Sequence, residues 1–239
     1  MTRFLRSALF NLFFYGITTA MVLALPLVTR RGQAAMQAHM RRWVRLVLGG
    51  LRRICGITWR VVGAEHLPAG PVLIASRHQS AFDTMIWFLL LGPPAPAPAY
   101  VLKRELTRIP LVGGFCARLG QIAVDREAGA AAIRSLLRGG DAALRAGRSI
   151  VIFPEGTRAP PERMLALQPG VAALAQRTGL TVIPVATDSG RFWGRRAFIK
   201  NPGTITIEIR PPLAAGLTRE ALMRELAGAL ARPVDKLVG

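Results

Sequence analysis

The apolar residues fall into three successive arrangements: one unbroken run, one helically spaced stretch, and then short runs separated by turn-forming residues. The unbroken run covers residues 7–29 and carries no charge over 23 positions. That length crosses, or nearly crosses, a hydrocarbon core. Arg3 and Arg6 precede it, and Arg30 and Arg31 follow it. Bases on both sides leave its orientation undecided by flanking positive charge. A cleaved signal peptide is the alternative, but its apolar core is usually shorter and a small-x-small site follows it. Here Arg30-Arg31 follows instead. The run therefore predicts a retained membrane helix. Pro26 is placed to kink it, which suits a helix that dips into one leaflet.

The second arrangement spans residues 36–55. Met36, Met40, Trp43, Val44, Val47, Leu48, Leu51 and Cys55 recur mostly three or four apart, with five arginines interspersed. This spacing predicts an amphipathic helix weakened in the middle by Gly49-Gly50. It serves equally as an interfacial helix, or second arm of a hairpin, and as a helix packed on the domain with a solvated basic side.

An alternation of short apolar runs and helical stretches begins after that. Residues 58–62, 72–75, 100–102, 121–124, 149–153, 181–186 and 204–209 read as strands. Residues 81–91, 127–146, 171–178 and 217–230 read as helices, with Thr218 placed to cap the last one. Gly139-Gly140 predicts a break or loosening within 127–146. Residues 106–119 have helical spacing but contain Pro110 and Gly113-Gly114, so their boundaries are poorly defined. The pattern predicts an α/β fold: a single mostly parallel or mixed sheet flanked by helices, with an N-terminal membrane-associated helical segment. The corresponding division is residues 1–56 for the membrane and interfacial helices and 57–239 for the α/β domain.

Composition narrows the function. The chain has 239 residues, enough for one sizeable domain. It has 32 Lys and Arg against 13 Asp and Glu, a formal net charge of +19. Only Lys103, Lys200 and Lys236 are lysines. Such a charge favours polyanionic surroundings, either anionic lipid or nucleic acid. The bases are scattered over many elements and no nucleic-acid reader module is present, so no nucleic-acid partner is expected. Two Cys and three His, scattered singly, give neither a disulfide framework nor a zinc cluster, and no metal is expected.

Two polar groupings stand at predicted strand ends, where the active sites of open sheets collect. The first is Ser76-Arg77-His78-Gln79-Ser80-Ala81-Phe82-Asp83. Inside one helix, positions 78 and 83 would not face each other. If His78 precedes the helix, the loop brings it back toward Asp83, about one turn in. Asp83 then holds one ring N–H while the other nitrogen takes a proton. The second grouping is Phe153-Pro154-Glu155-Gly156-Thr157-Arg158, where Gly156 permits close backbone approach. A turn closed by a surface ion pair would explain it equally well. Neither a phosphate-binding glycine fingerprint nor a Gly-x-Ser-x-Gly elbow is present. Arg191, Arg195 and Arg196 with Phe192 and Trp193 form either an interfacial cluster or a packed loop with solvated arginines.

Four ordered motifs carry a family resemblance over roughly residues 58–210. They are His78-x4-Asp83; Lys103-Arg104-Glu105-Leu106 with Ile109-Pro110 and Gly113, continuing to Gly120 and Asp125-Arg126; the segment from Phe153 to Arg158; and Val182-Ile183-Pro184-Val185. Together they resemble the glycerolipid acyltransferase family, in particular the bacterial 1-acylglycerol-3-phosphate acyltransferases. Three positions depart from the common pattern: Arg77, where Asn is frequent; Ala159, where Ser is frequent; and Gln168-Pro169-Gly170, where many members carry Lys before the glycine.

The resemblance implies transfer of an acyl group from a thioester, acyl-CoA or acyl-carrier-protein, to the hydroxyl of lysophosphatidic acid. It implies no cofactor. His78 is the expected general base and Asp83 its orienting carboxylate. Arg126 is the expected phosphate ligand, with Lys103, Glu155, Gly156, Thr157 and Arg158 contributing to substrate binding. A lyso-ornithine lipid or another lysolipid is the alternative acceptor. The implied location is the bacterial inner membrane, with membrane lipids as surroundings and the site facing the cytoplasm.

Overall fold

The computed structural model describes residues 2–234, so the last five residues of the expected 57–239 domain lie outside the described residues. The uncharged run is helical but is not one rod. Helix α1 (Arg3–Leu23) is capped by Thr2, whose hydroxyl accepts from Leu5 N at 3.4 Å. The chain turns at Ala24, and α2 (Leu25–Arg30) begins with Pro26 in its first turn. A proline lacks the N–H that a helix interior needs, but the first turn leaves that donor unused. The expected kink is therefore realised as the start of a second, short helix. Helix α3 (Gln33–Gly50) returns alongside α1 and ends in a wider helical turn at Leu51–Cys55. The α-helical pattern stops at Gly50, within the expected weak point, and the chain continues helical in the wider turn to Cys55. A Cβ at Gly50 would strike the Phe13 ring, so the glycine lets α1 and α3 close on each other.

By length and composition α1 is apolar enough to cross a membrane. Its outward side bears exposed Phe4, Leu5, Leu9, Leu12 and Tyr15. Its other side enters the protein core through Phe10, which has no exposed surface.

Seven strands form one sheet: β1 (Ile57–Val62), β2 (Leu73–Ser76), β3 (Ala99–Lys103), β4 (Ile122–Val124), β5 (Ile150–Ile152), β6 (Val182–Thr187) and β7 (Gly203–Ile209). Their order is β1-β7-β6-β2-β5-β3-β4. All neighbouring pairs are parallel except β6 with β7. The sheet is mixed and mostly parallel, as the sequence predicts. Every residue of β2 is buried, which suits a central strand covered on both faces. Its side chains alternate: Ile74 joins the core under α3 and α4 (Phe82–Leu90), while Leu73 and Ala75 join the core under α6 (Ala130–Arg145, after α5 at Val112–Arg118), α7 (Gly170–Thr178) and α8 (Arg219–Ala231). Phe10, Val47 and Leu48 share the first core with Ile74, so the N-terminal helices pack directly on the sheet.

The expected break at Gly139-Gly140 is absent, and α6 runs through it. The glycines serve packing. A Cβ at Gly139 would lie 2.5 Å from Ile122 Cγ2, and one at Gly140 would lie 2.6 Å from Leu174 Cδ2. Both let α6 settle onto β4 and α7. A contrasting glycine, Gly228 in α8, is exposed and has open space around it. Gly228→Ala is expected to stabilise the fold by about 0.4–1 kcal/mol. In Gly139→Ala a collision with a β-branched side chain, about 1–3 kcal/mol, outweighs the gain in helix propensity of about 1 kcal/mol. Thermal unfolding in detergent should give opposite shifts in Tm for the two variants.

Candidate active site

The central strand β2 ends at Ser76, and residues 77–81 cross from the sheet edge to α4. Asp83 is the second residue of α4, earlier than the one full turn expected. It is 2% exposed, and its Oδ2 accepts hydrogen bonds from Gln79 N at 2.7 Å and Ser80 N at 2.8 Å. His78 Nδ1 lies 3.2 Å from the same oxygen. A carboxylate there calls for the proton on Nδ1, which leaves Nε2 as the basic ring nitrogen. The ring stacks on Phe153, with centroids 4.1 Å apart and planes 20° apart. His78 is thus held from one edge and one face.

The loop after β5 holds the second grouping. Gly156 adopts φ +72°, the left-handed region. The backbone state, not crowding, calls for glycine: a Cβ there would meet Arg126 Nη1 only at 3.6 Å, an ordinary contact. Glu155 turns away from this space. It is buried, with Oε1 accepting from Arg77 Nε at 3.3 Å and Oε2 accepting from Leu165 N at 2.9 Å. Arg77 also donates to the Arg163 carbonyl at 2.8 Å. The backbone completes the tie: Ala159 N donates to the His78 carbonyl at 2.7 Å. Arg77, which the sequence marks only as a departure from the family pattern, joins the two loops. Its partner lies 78 positions away, and no local spacing announces the pair.

A cavity of about 490 Å³ gathers His78, Lys103, Arg126, Gly156, Thr157 and Arg158. Of the eight site residues expected from the sequence, Glu155 and Asp83 do not line it; both are buried behind its wall. Trp43, Phe88, Leu102 and Leu119 supply apolar surface to the same cavity. Desolvation lowers the Arg126 pKa and Glu105 opposes that shift; the guanidinium keeps its charge. Tyr100 is also in the wall, its buried hydroxyl turned to the Trp87 backbone. Desolvation, then the Asp83 charge, raise its pKa, so it stays neutral. Among the described residues no group of three or more His, Cys, Asp or Glu is arranged to hold a metal ion.

The Arg191–Arg196 segment divides by residue type. Trp193 is buried edge-on against Phe10 at 5.5 Å and Phe14 at 5.9 Å, and Phe192 packs against Gly203. Arg191, Arg195 and Arg196 are exposed. The aromatic rings therefore serve the core, and an interfacial role for them is not realised.

The sequence model of the family described as Acyltransferase matches residues 58–188. A 1-acyl-sn-glycerol-3-phosphate acyltransferase from Pseudomonas aeruginosa is 39% identical over 176 residues, 74% of this chain and 67% of that protein. One from Saccharomyces cerevisiae is 27% identical over 241 residues, covering 98% of this chain and 76% of that protein. The crystal structure of a 1-acyl-sn-glycerophosphate acyltransferase from Thermotoga maritima superposes with a TM-score of 0.74 over 96% of this chain and 95% of that one, at 24% identity. That likeness establishes the shared fold.

The Arg77–Glu155 pair yields a stability prediction. Arg77→Met strands a buried carboxylate and is expected to cost about 3–5 kcal/mol. Combining it with Glu155→Leu removes the stranded charge and should recover much of that loss. Denaturant unfolding of the three variants in detergent checks both steps.

Proposed function

The chain belongs to the 1-acyl-sn-glycerol-3-phosphate acyltransferase family, and from that membership we propose that it moves a fatty acyl group from a thioester to the free hydroxyl of lysophosphatidic acid, making phosphatidic acid. The observation that carries the reading is the hydrogen-bonded His78–Asp83 pair facing a cavity that also holds Lys103, Arg126 and Arg158.

An alcohol attacks a thioester slowly until a base takes its proton. His78 Nε2 accepts that proton as the oxygen attacks the thioester carbonyl carbon. The new C–O bond forms, the C–S bond breaks, and the departing sulfur takes the proton back from His78. Asp83 stabilises the imidazolium that exists between these events. No covalent enzyme intermediate is needed. The backbone N–H groups of Gln79 and Ser80 keep the carboxylate fixed while the ring changes charge.

Arg126 binds the acceptor phosphate, since its planar guanidinium can grip two oxygens at once. Lys103 and Arg158 add charge to the same cavity, Gly156 admits the phosphate close to the backbone, and Thr157 offers a hydroxyl. Glu155 acts at one remove, through Arg77. The donor is acyl-CoA or acyl-carrier-protein. Membrane attachment by α1 suits a lipid acceptor whose tail stays in the bilayer. The fitting location is the bacterial inner membrane, with the site on the cytoplasmic side.

His78→Ala is expected to lower kcat by at least about 10²-fold in folded protein. Asp83→Asn should also lower kcat, through ring positioning, with the KM for the thioester little changed. Steady-state kinetics on purified protein decides; near-wild-type turnover in His78→Ala excludes the base. Arg126→Ala removes a charge-assisted contact worth about 1.5–3 kcal/mol, roughly a 10–150-fold loss in kcat/KM for lysophosphatidic acid. Arg126→Lys should recover part of this, because it keeps the charge and loses the fork. A wild type that ignores lysophosphatidic acid but acylates a lysolipid without phosphate would overturn the acceptor assignment.

A further inference from the structure

The reaction proposed above creates a charge in surroundings that are already positive. His78 starts neutral and becomes an imidazolium when it takes the acceptor's proton. Lys103, Arg126 and Arg158 line the same cavity, and like charges repel the new one. An acceptor phosphate on Arg126 offsets one of them. Among the described residues no Asp or Glu lines the cavity. Asp83 reaches the ring edge at 3.2 Å from behind the wall. Glu155, in the adjoining loop, is held by Arg77 and by Leu165 N.

The other surface against the imidazole is Phe153. The ring centroids are 4.1 Å apart and the planes differ by 20°, so the two rings meet face to face. The contact follows from the sheet. Strands β2 and β5 are parallel neighbours, and Ala75 pairs with Ile152. Phe153 therefore stands one step past the last rung, beside the loop that carries His78. Tyr100 lies 6.3 Å from Phe153, and Phe88 lies 5.1 Å from Tyr100. Both of these rings are buried, so the contact is set in a wall from which water is largely excluded. Electrostatic attraction is stronger there than in water.

The face of a phenyl ring carries negative potential and its edge positive potential. Such a face attracts a cation centred within about 6 Å of it. The attraction exists only while His78 is charged, so it favours the transition state over the bound substrates. We propose that Phe153 is a positioning residue for His78 that also stabilises the imidazolium formed during transfer, adding the negative potential of its face to the charge of Asp83. The assignment rests on the acyl-transfer reading above. A role in packing alone makes the opposite demand. Two stacked neutral rings repel through their electron-rich faces, and an electron-poor ring relieves that repulsion. Ring fluorines withdraw electrons with little change in size. They weaken the hold on an imidazolium and leave a neutral stack as good or better.

The test replaces Phe153 with phenylalanines carrying one, two and three ring fluorines, introduced at that position alone in the full chain in detergent. The readout is the rate of a single turnover at saturating thioester and lysophosphatidic acid, which separates chemistry from product release. The rate should fall with each added fluorine, by about 2- to 30-fold in all, the range for a cation on an aromatic face. KM for both substrates should stay within about twofold, because the lost interaction is absent from the bound ground state. Phe153→Leu keeps an apolar cover without the aromatic face and should lose at least as much rate. A flat or rising fluorine series in an enzyme whose wild type is active overturns the proposal and leaves the acyl-transfer reading standing. So does a loss carried by KM, which would make Phe153 a substrate contact, and so does full speed in Phe153→Leu. A wild type that transfers to no lysolipid brings down the acyl-transfer reading, and this assignment with it.

Discussion

One carboxylate oxygen organises the cavity end of the molecule. Asp83 Oδ2 receives two backbone N–H groups and faces a ring nitrogen, all within 3.2 Å. A buried charge is tolerable only when its hydrogen-bonding capacity is met. The backbone groups that meet it belong to the loop carrying His78, so the condition for burying Asp83 is also what orients the histidine. The central position of β2 makes this possible. A strand covered on both faces delivers its exit loop to a fixed point, and α4 begins there with the carboxylate in its first turn.

The neighbouring loops inherit their positions from that point. Ala159 N reaches the His78 carbonyl, Arg77 reaches Glu155, and Gly190 N reaches the Gln79 side chain. Each link joins a residue in the loop after β2 to an adjacent strand's loop, from β5 or β6. The cavity wall is therefore a consequence of parallel neighbours ending at one edge, with side chains and backbone crossing between them. Arg77 illustrates how a charged residue next to the proposed base can be occupied by architecture, since its guanidinium is spent on Glu155 and a carbonyl.

Element order and sheet class are legible in the sequence because short apolar runs and helical spacing depend on local pattern. His78 and Asp83 are legible as a pair because one loop joins them. Three features escape for a common physical reason, which is that their partners lie far along the chain. The Gly139-Gly140 pair reads as a break until Ile122 and Leu174 stand against it. Glu155 reads as a substrate contact until Arg77 arrives from 78 positions away. Phe192 and Trp193 read equally as interfacial rings until Phe10 and Gly203 cover them. Arg126 is one of 29 arginines and is distinguished by the family resemblance rather than by its own surroundings.

The seat of α1 bears on the order in which the protein assembles. Ser7 Oγ accepts from Lys200 N across 193 positions, and Asn11 accepts from the same residue's ammonium group. Phe10 finds its edge-on ring partner, Trp193, equally late. The inward face of an N-terminal helix is thus completed by a loop far along the chain, between β6 and β7. Such long-range closure is slow, because the intervening chain must be ordered first. Until it happens, the inner face of α1 has no finished surface to pack on. The N-terminal helix is consequently a wall of the folded domain rather than a tether to it, and severing it would open the core beneath Trp193.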